Sequence, residues 1–70
     1  MLPDKAIGKL LRKARKAKRL TIEDLVVKLG GDTSSATISR LENGKAPLRE
    51  TERLLEICDA LDIPKEEILK

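Results

Sequence analysis

The chain has no phenylalanine, tyrosine, tryptophan or histidine, so any core it builds must be aliphatic. Its apolar residues recur at helical spacing almost throughout, and no stretch alternates as a half-buried strand does. The expectation is an all-α fold. The missing side chains also exclude functions. Base stacking on aromatic platforms, the usual device for single strands and RNA, is unavailable. With no histidine and one cysteine, neither an ordinary zinc site nor a histidine-based catalytic set can be assembled. No catalytic residue, metal or cofactor is expected. The lone Cys58 rules out an internal disulfide, which fits a reducing compartment. MLPDKAIGKLL lacks the long apolar run of a signal peptide, and no stretch approaches a membrane span, so a soluble cytoplasmic protein is expected.

Five helices follow from the pattern. The first runs from about Lys5 to Arg19, with Ile7, Leu10, Leu11 and Ala14 on one stripe. Lys5, Lys9, Arg12, Lys13 and Lys16 lie opposite, and Arg15 sits on the border. Thr21 and Asp24 read as a capping box opening the second helix, Ile22 to Leu29, which buries Leu25, Val26 and Leu29. Gly30 ends it. The third spans Ser34 to Glu42. After a loop containing Pro47, a fourth covers Glu50 to Leu61, turning Leu54, Ile57, Cys58 and Leu61 inward. Cys58 is read there as a packing residue. Pro64 suits the first turn of a last helix ending with Ile68 and Leu69. Seventy residues make one small domain, 1–70, with no repeat or linker.

The net charge of +3 conceals an asymmetry. Residues 1–20 carry +7, residues 21–49 balance, and residues 50–70 carry −4. A basic end and an acidic end suit an oriented encounter with a polyanion, although a solvated charged face gives the same pattern.

The stretch with most to say about function is Thr33 to Lys45, TSSATISRLENGK. Thr33, Ser34 and Ser35 suit a helix N-terminus, and Asn43-Gly44 is a natural left-handed stop. On a wheel of about 100° per residue, Ile38 and Leu41 mark the buried stripe. Ala36, Ser39, Arg40 and Asn43 face outward, with Ser35 and Thr37 on the flanks. That outer face holds small polar groups, one forked cation and no acid. It can enter a DNA major groove, where Arg40 reaches a guanine edge. The alternative is an ordinary solvated face with Arg40 pairing to a nearby acid.

Order and spacing resemble the Cro/repressor-type helix-turn-helix proteins, the DNA-binding domains of lambdoid phage repressors and xenobiotic-response-element-type regulators. The resemblance runs from about Ile7 to Leu69. It is strongest over Thr37-Ile38-Ser39-Arg40-Leu41-Glu42-Asn43-Gly44-Lys45, with support from Leu11-Arg12-x-x-Arg15 before Leu20-Thr21 and from Leu54-x-x-Ile57-Cys58-x-x-Leu61-x-Ile63. It implies a compact five-helix, lambda-repressor-like domain with the helix-turn-helix at about 21–43 and the third helix for recognition. Ser35, Ala36 and Arg40 fall where family members read bases, and Ser34, Asn43 and Lys45 where they hold phosphate. Thr33, at the same helix start, joins the phosphate set, because helix N-termini bind anions. Arg15 and Glu42 match an internal ion pair of the family.

Ile22 stands where Gln is usual, Arg19 where Gly is common and Val26 where Ala packs. Gly31-Asp32 lengthen the turn by two residues, a change that passes base reading to Thr37 or Ser39 if it rotates the helix. The implied function is a sequence-specific regulator of double-stranded DNA, a repressor of phage, plasmid or autoregulatory type, acting as a homodimer. The alternative is a protein-interaction module or an antitoxin with a protein partner. With no separate dimerisation domain expected, the contact between copies is placed on the Pro64 to Lys70 helix and the loop before the fourth helix, with Ile63, Ile68 and Leu69 as its apolar groups; the alternative is that these three only close the monomer's small core.

Overall fold

The computed structural model describes residues 2–31, 33–45 and 51–68, with the backbone alone for 51–53. It is all-helical: α1 (Asp4–Ala17), α2 (Ile22–Lys28), α3 (Ser35–Glu42), α4 (Thr51–Ala60) and α5 (Lys65–Ile68). Ile7 and Leu11 of α1, Leu25 of α2 and Ile38 of α3 meet Leu54, Ile57, Cys58 and Leu61 around one aliphatic core. Ile63 and Ile68, expected at a contact between copies, instead close this core. Their burial removes them as a surface for a second copy; Leu69 and residues 46–50, also assigned to that contact, lie outside the described residues. The chain start is pinned to the same end, where Leu2 N–H donates to Ile68 O at 3.0 Å.

Helix starts follow local chemistry. Thr21 Oγ1 accepts from Asp24 N–H at 3.0 Å, and Asp24 Oδ2 accepts from Thr21 N–H at 2.9 Å. This capping box satisfies two otherwise orphaned donors, and the bond from the Thr21 amide holds the Asp24 carboxyl below its ordinary range. At α3 the cap is Ser34, whose hydroxyl accepts from Thr37 N–H at 3.2 Å. The last helix begins at Lys65, so Pro64 precedes its first turn rather than lying within it.

One device ends α1 to α4. In each, the residue after the C-cap takes a left-handed backbone, and the next amide reaches back to the helix. The pairs are Leu20 N–H to Arg15 O, Gly31 N–H to Val26 O, Lys45 N–H to Arg40 O and Ile63 N–H to Cys58 O, all within 3.1 Å. Gly30 (φ 82°) and Gly44 (φ 69°) suit that conformation, but Arg19 and Asp62 adopt it at φ 58° with a Cβ. The left-handed Arg19 is why α1 stops at Ala17 rather than at Arg19, as its helical period had suggested.

α1 and α3 pack unusually closely. A Cβ on Gly8 would lie 2.5 Å from the carbonyl oxygens of both Leu41 and Glu42. One on Gly44 would lie 2.8 Å from Lys5 Cγ. The C-terminus of α3 therefore rests on a side-chain-free notch in α1. This tilts the buried side of α3 from Leu41 toward Glu42: Leu41, expected in the buried stripe, is half-buried, and Glu42 is buried.

Gly8→Ala gains about 1 kcal/mol of helix propensity but forces backbone against backbone, an overpacking cost of about 1–3 kcal/mol. The clash is with main chain that cannot rotate away, so a net lowering of the denaturant midpoint is expected. Arg19→Gly is expected to do the reverse. It relieves a left-handed Cβ costing about 1–2 kcal/mol, less the glycine entropy term, and the midpoint should rise by about 0.5–1 kcal/mol equivalent.

Candidate nucleic-acid interface

The exposed face of α3 is set by what α3 buries. Ile38 points into the core and Glu42 turns toward α1. Ala36 and Arg40 then stand fully outward one turn apart, with Ser34, Asn43 and Lys45 also exposed. Ser35, Thr37, Ser39 and Thr33 are half-buried. The one acid of α3, Glu42, is 9% exposed and lies away from this face. The first turn of α2 is different: Ile22 is half-buried against the core, while Glu23 and Asp24 are exposed.

Several polar groups of the face are already engaged. Ser34 Oγ lies 3.0 Å from Thr37 Oγ1 as well as capping the Thr37 amide. Asn43 Nδ2 donates to Ser39 O at 2.8 Å and approaches Ser39 Oγ at 3.5 Å. One amide proton of Asn43 thus serves the helix end. Among the described residues, neither Arg40 nor Lys45 has an ion-pair partner.

Behind the face, Arg15 and Glu42 come together. Arg15 Nε donates to Glu42 Oε2 at 2.7 Å and Nη2 to Oε1 at 3.0 Å, a bidentate pair. Arg15 Nη1 donates to Leu20 O at 2.7 Å. The guanidinium thus joins the end of α1, the segment entering α2 and the end of α3. The bonds to Glu42 raise the Arg15 pKa above its ordinary value, against the opposing effect of burial. Neither the Leu20 contact nor the Gly8 notch was legible from periodicity alone. A glycine inside an amphipathic helix was the available signal, because it is costly there unless something must approach.

Residues 6–69 match the helix-turn-helix domain family. The chain belongs to this helix-turn-helix domain family. It is similar to an uncharacterized HTH-type transcriptional regulator of Bacillus subtilis (strain 168), RghRB, at 37% identity over 62 residues. That alignment covers 89% of this chain and 43% of the relative, so the chain spans less than half that protein's length. No solved structure matches. Among the described residues, no helix is long and apolar enough to cross a membrane.

Glu42→Ala leaves a buried guanidinium with Leu20 O as its remaining partner. Breaking such a pair costs about 3–5 kcal/mol, and a thermal melt is expected to show a fall of that order. An unchanged melting temperature would mean that water replaces the carboxylate at no cost.

Proposed function

We propose that this chain binds double-stranded DNA in a sequence-specific way, with α3 in the major groove, and regulates transcription as a repressor of phage, plasmid or autoregulatory type. The observation that carries the reading is the outer face of α3, where Ala36 and Arg40 stand exposed one turn apart and the one acid is turned inward. Small Ala36 lets the backbone approach the base edges, and Arg40 donates both arms of its fork to guanine O6 and N7. Ser35, Thr37 and Ser39 border that contact. Thr33, Ser34, Asn43 and Lys45 hold the phosphate backbone and fix the register, as helix termini and cations do. The basic outer face of α1 adds long-range attraction.

A short recognition helix reads few base pairs, so two copies on half-sites about 34 Å apart complete the site. The protein acts in the cytoplasm and through binding rather than catalysis.

A second reading, an interaction module or antitoxin that keeps the fold, draws on the first turn of α2. Glu23 and Asp24 would present acids to a phosphate there, and Ile22 offers no polar hook.

A titration of duplex DNA from the region flanking its own coding sequence separates the two. On the DNA reading, log K falls with log salt at a slope of about −0.9 per neutralised phosphate; a flat titration would sink it. Arg40→Ala is expected to lose about 1–3 kcal/mol on the operator and little on a scrambled duplex at the same salt. Lys45→Ala should weaken both equally and make the slope shallower by about one. Equal losses on the two duplexes for Arg40→Ala would assign Arg40 to the backbone.

A further inference from the structure

Two surface features lie apart from the face of α3. One is an open recess of about 420 Å³ lined by Leu2, Ala6, Lys9, Leu10, Lys13 and Glu67. Leu2, Ala6 and Leu10 supply its apolar lining, Lys9 and Lys13 of α1 its basic groups and Glu67 of α5 an acid. On α1 these residues lie on the side away from Gly8 and Arg15, which meet α3. The other feature is Val27, which is 76% exposed on the outer side of α2. Glu23 one turn before it, and Asp24 and Lys28 beside it, are exposed as well. A single exposed valine is unremarkable by itself. The pattern of charge around it makes it informative.

We infer that Val27 of one copy seats in the Leu2, Ala6 and Leu10 recess of another, with Glu23 and Asp24 against Lys9 and Lys13 and with Lys28 against Glu67. The charges match in both signs: two exposed acids beside Val27 for the two lysines of the recess, and one base for its one acid. The recess is built from α1 and α5 while the knob is on α2, so the contact is head-to-tail rather than self-symmetric. A contact of that kind leaves a free knob and a free recess at the two ends of a pair, and it can add further copies. One valine and a recess lined by six residues make a small contact beside the roughly 800 Å² per partner of a stable complex. It is therefore a weak contact, populated only at high local concentration. The inference rests on these surfaces and not on the DNA reading.

Sedimentation equilibrium of the full chain, without DNA and up to about 1 mM, tests it. The wild type is expected to associate as concentration rises. Val27→Ser removes the apolar anchor, and Lys9→Glu/Lys13→Glu reverses the basic groups of the recess; each should lower the association constant about tenfold. Both alter exposed side chains, and unchanged thermal melts confirm that both variants fold. Mixed in equal amounts, they should form pairs and stop there, because each retains one working surface.

Three results would overturn the inference: a wild type monomeric throughout, Val27→Ser associating as well as the wild type, or folded variants that stay monomeric when mixed. A fourth is Lys9→Glu/Lys13→Glu weakening duplex binding while leaving association intact, which would give those lysines to nucleic acid.

Discussion

Three hydrogen bonds from one guanidinium tie the end of α1 to the segment entering α2 and to the end of α3. Arg15 reaches Leu20 O just ahead of α2 and both carboxylate oxygens of Glu42 at the end of α3. Burying two opposite charges brings little net stability, because the desolvation cost offsets most of the attraction. What the pair supplies is geometry. A planar fork is satisfied in one arrangement, and a lysine could not reproduce it. The notch at Gly8 fixes the same contact from the other side, bringing main chain of α1 and α3 to a separation no side chain would permit. Held at its C-terminal end by these contacts, α3 buries Ile38 and Glu42 and leaves Ala36 and Arg40 exposed.

The helix ends show how a small aliphatic chain keeps five helices short. Each of the first four stops in a left-handed residue followed by an amide that bonds back. At α1 and α4 the residue after the stop is apolar, half-buried Leu20 and buried Ile63, so the turn itself returns chain to the core. Those two ends use Arg19 and Asp62 rather than glycine. Lys18 Nζ lies 2.6 Å from Asp62 Oδ2 across them, an exposed pair that holds the Asp62 carboxyl below its ordinary range. Because the folded value is depressed, whatever stability the pair adds is present above the ordinary carboxylate range and is lost as pH falls below that range and through the lower folded value. Cys58 is fully buried, and burial pushes its thiol up to about 11, so it is a protonated packing group at neutral pH.

Much of this was legible in the sequence. The aliphatic period placed Ile7, Leu11, Leu25, Ile38, Leu54, Ile57, Cys58 and Leu61 inside, and the Thr21 box was readable from two residues three apart. Most of the misplaced features depend on contacts between helices that a wheel treats one at a time. Leu41 and Glu42 differ in burial because of where α1 presses, which is a fact about Gly8. Ile63 and Ile68 looked like spare apolar groups because the last helix is too short to show a buried side. The early end of α1 reflects a left-handed arginine, a residue type without strong preference for that conformation.

The outer face of α3 offers less free chemistry than its composition suggests. Ser34 is spent on the Thr37 amide, the Thr37 hydroxyl lies against Ser34, and Asn43 serves the Ser39 carbonyl. Retaining these bonds keeps the helix ends satisfied, and surrendering one to a ligand returns only the difference between two hydrogen bonds. On the proposed reading, discrimination in each half-site then falls mainly on Arg40, with Ala36 setting the approach and Lys45 supplying charge without sequence information. One bidentate contact is worth about 1–3 kcal/mol, far below the roughly 4–10 kcal/mol that separates specific from non-specific binding. On that reading one copy falls short of a specific site; two copies would bring the contact to about 2–6 kcal/mol, which reaches the lower part of that range and leaves the remainder to the groups bordering Arg40.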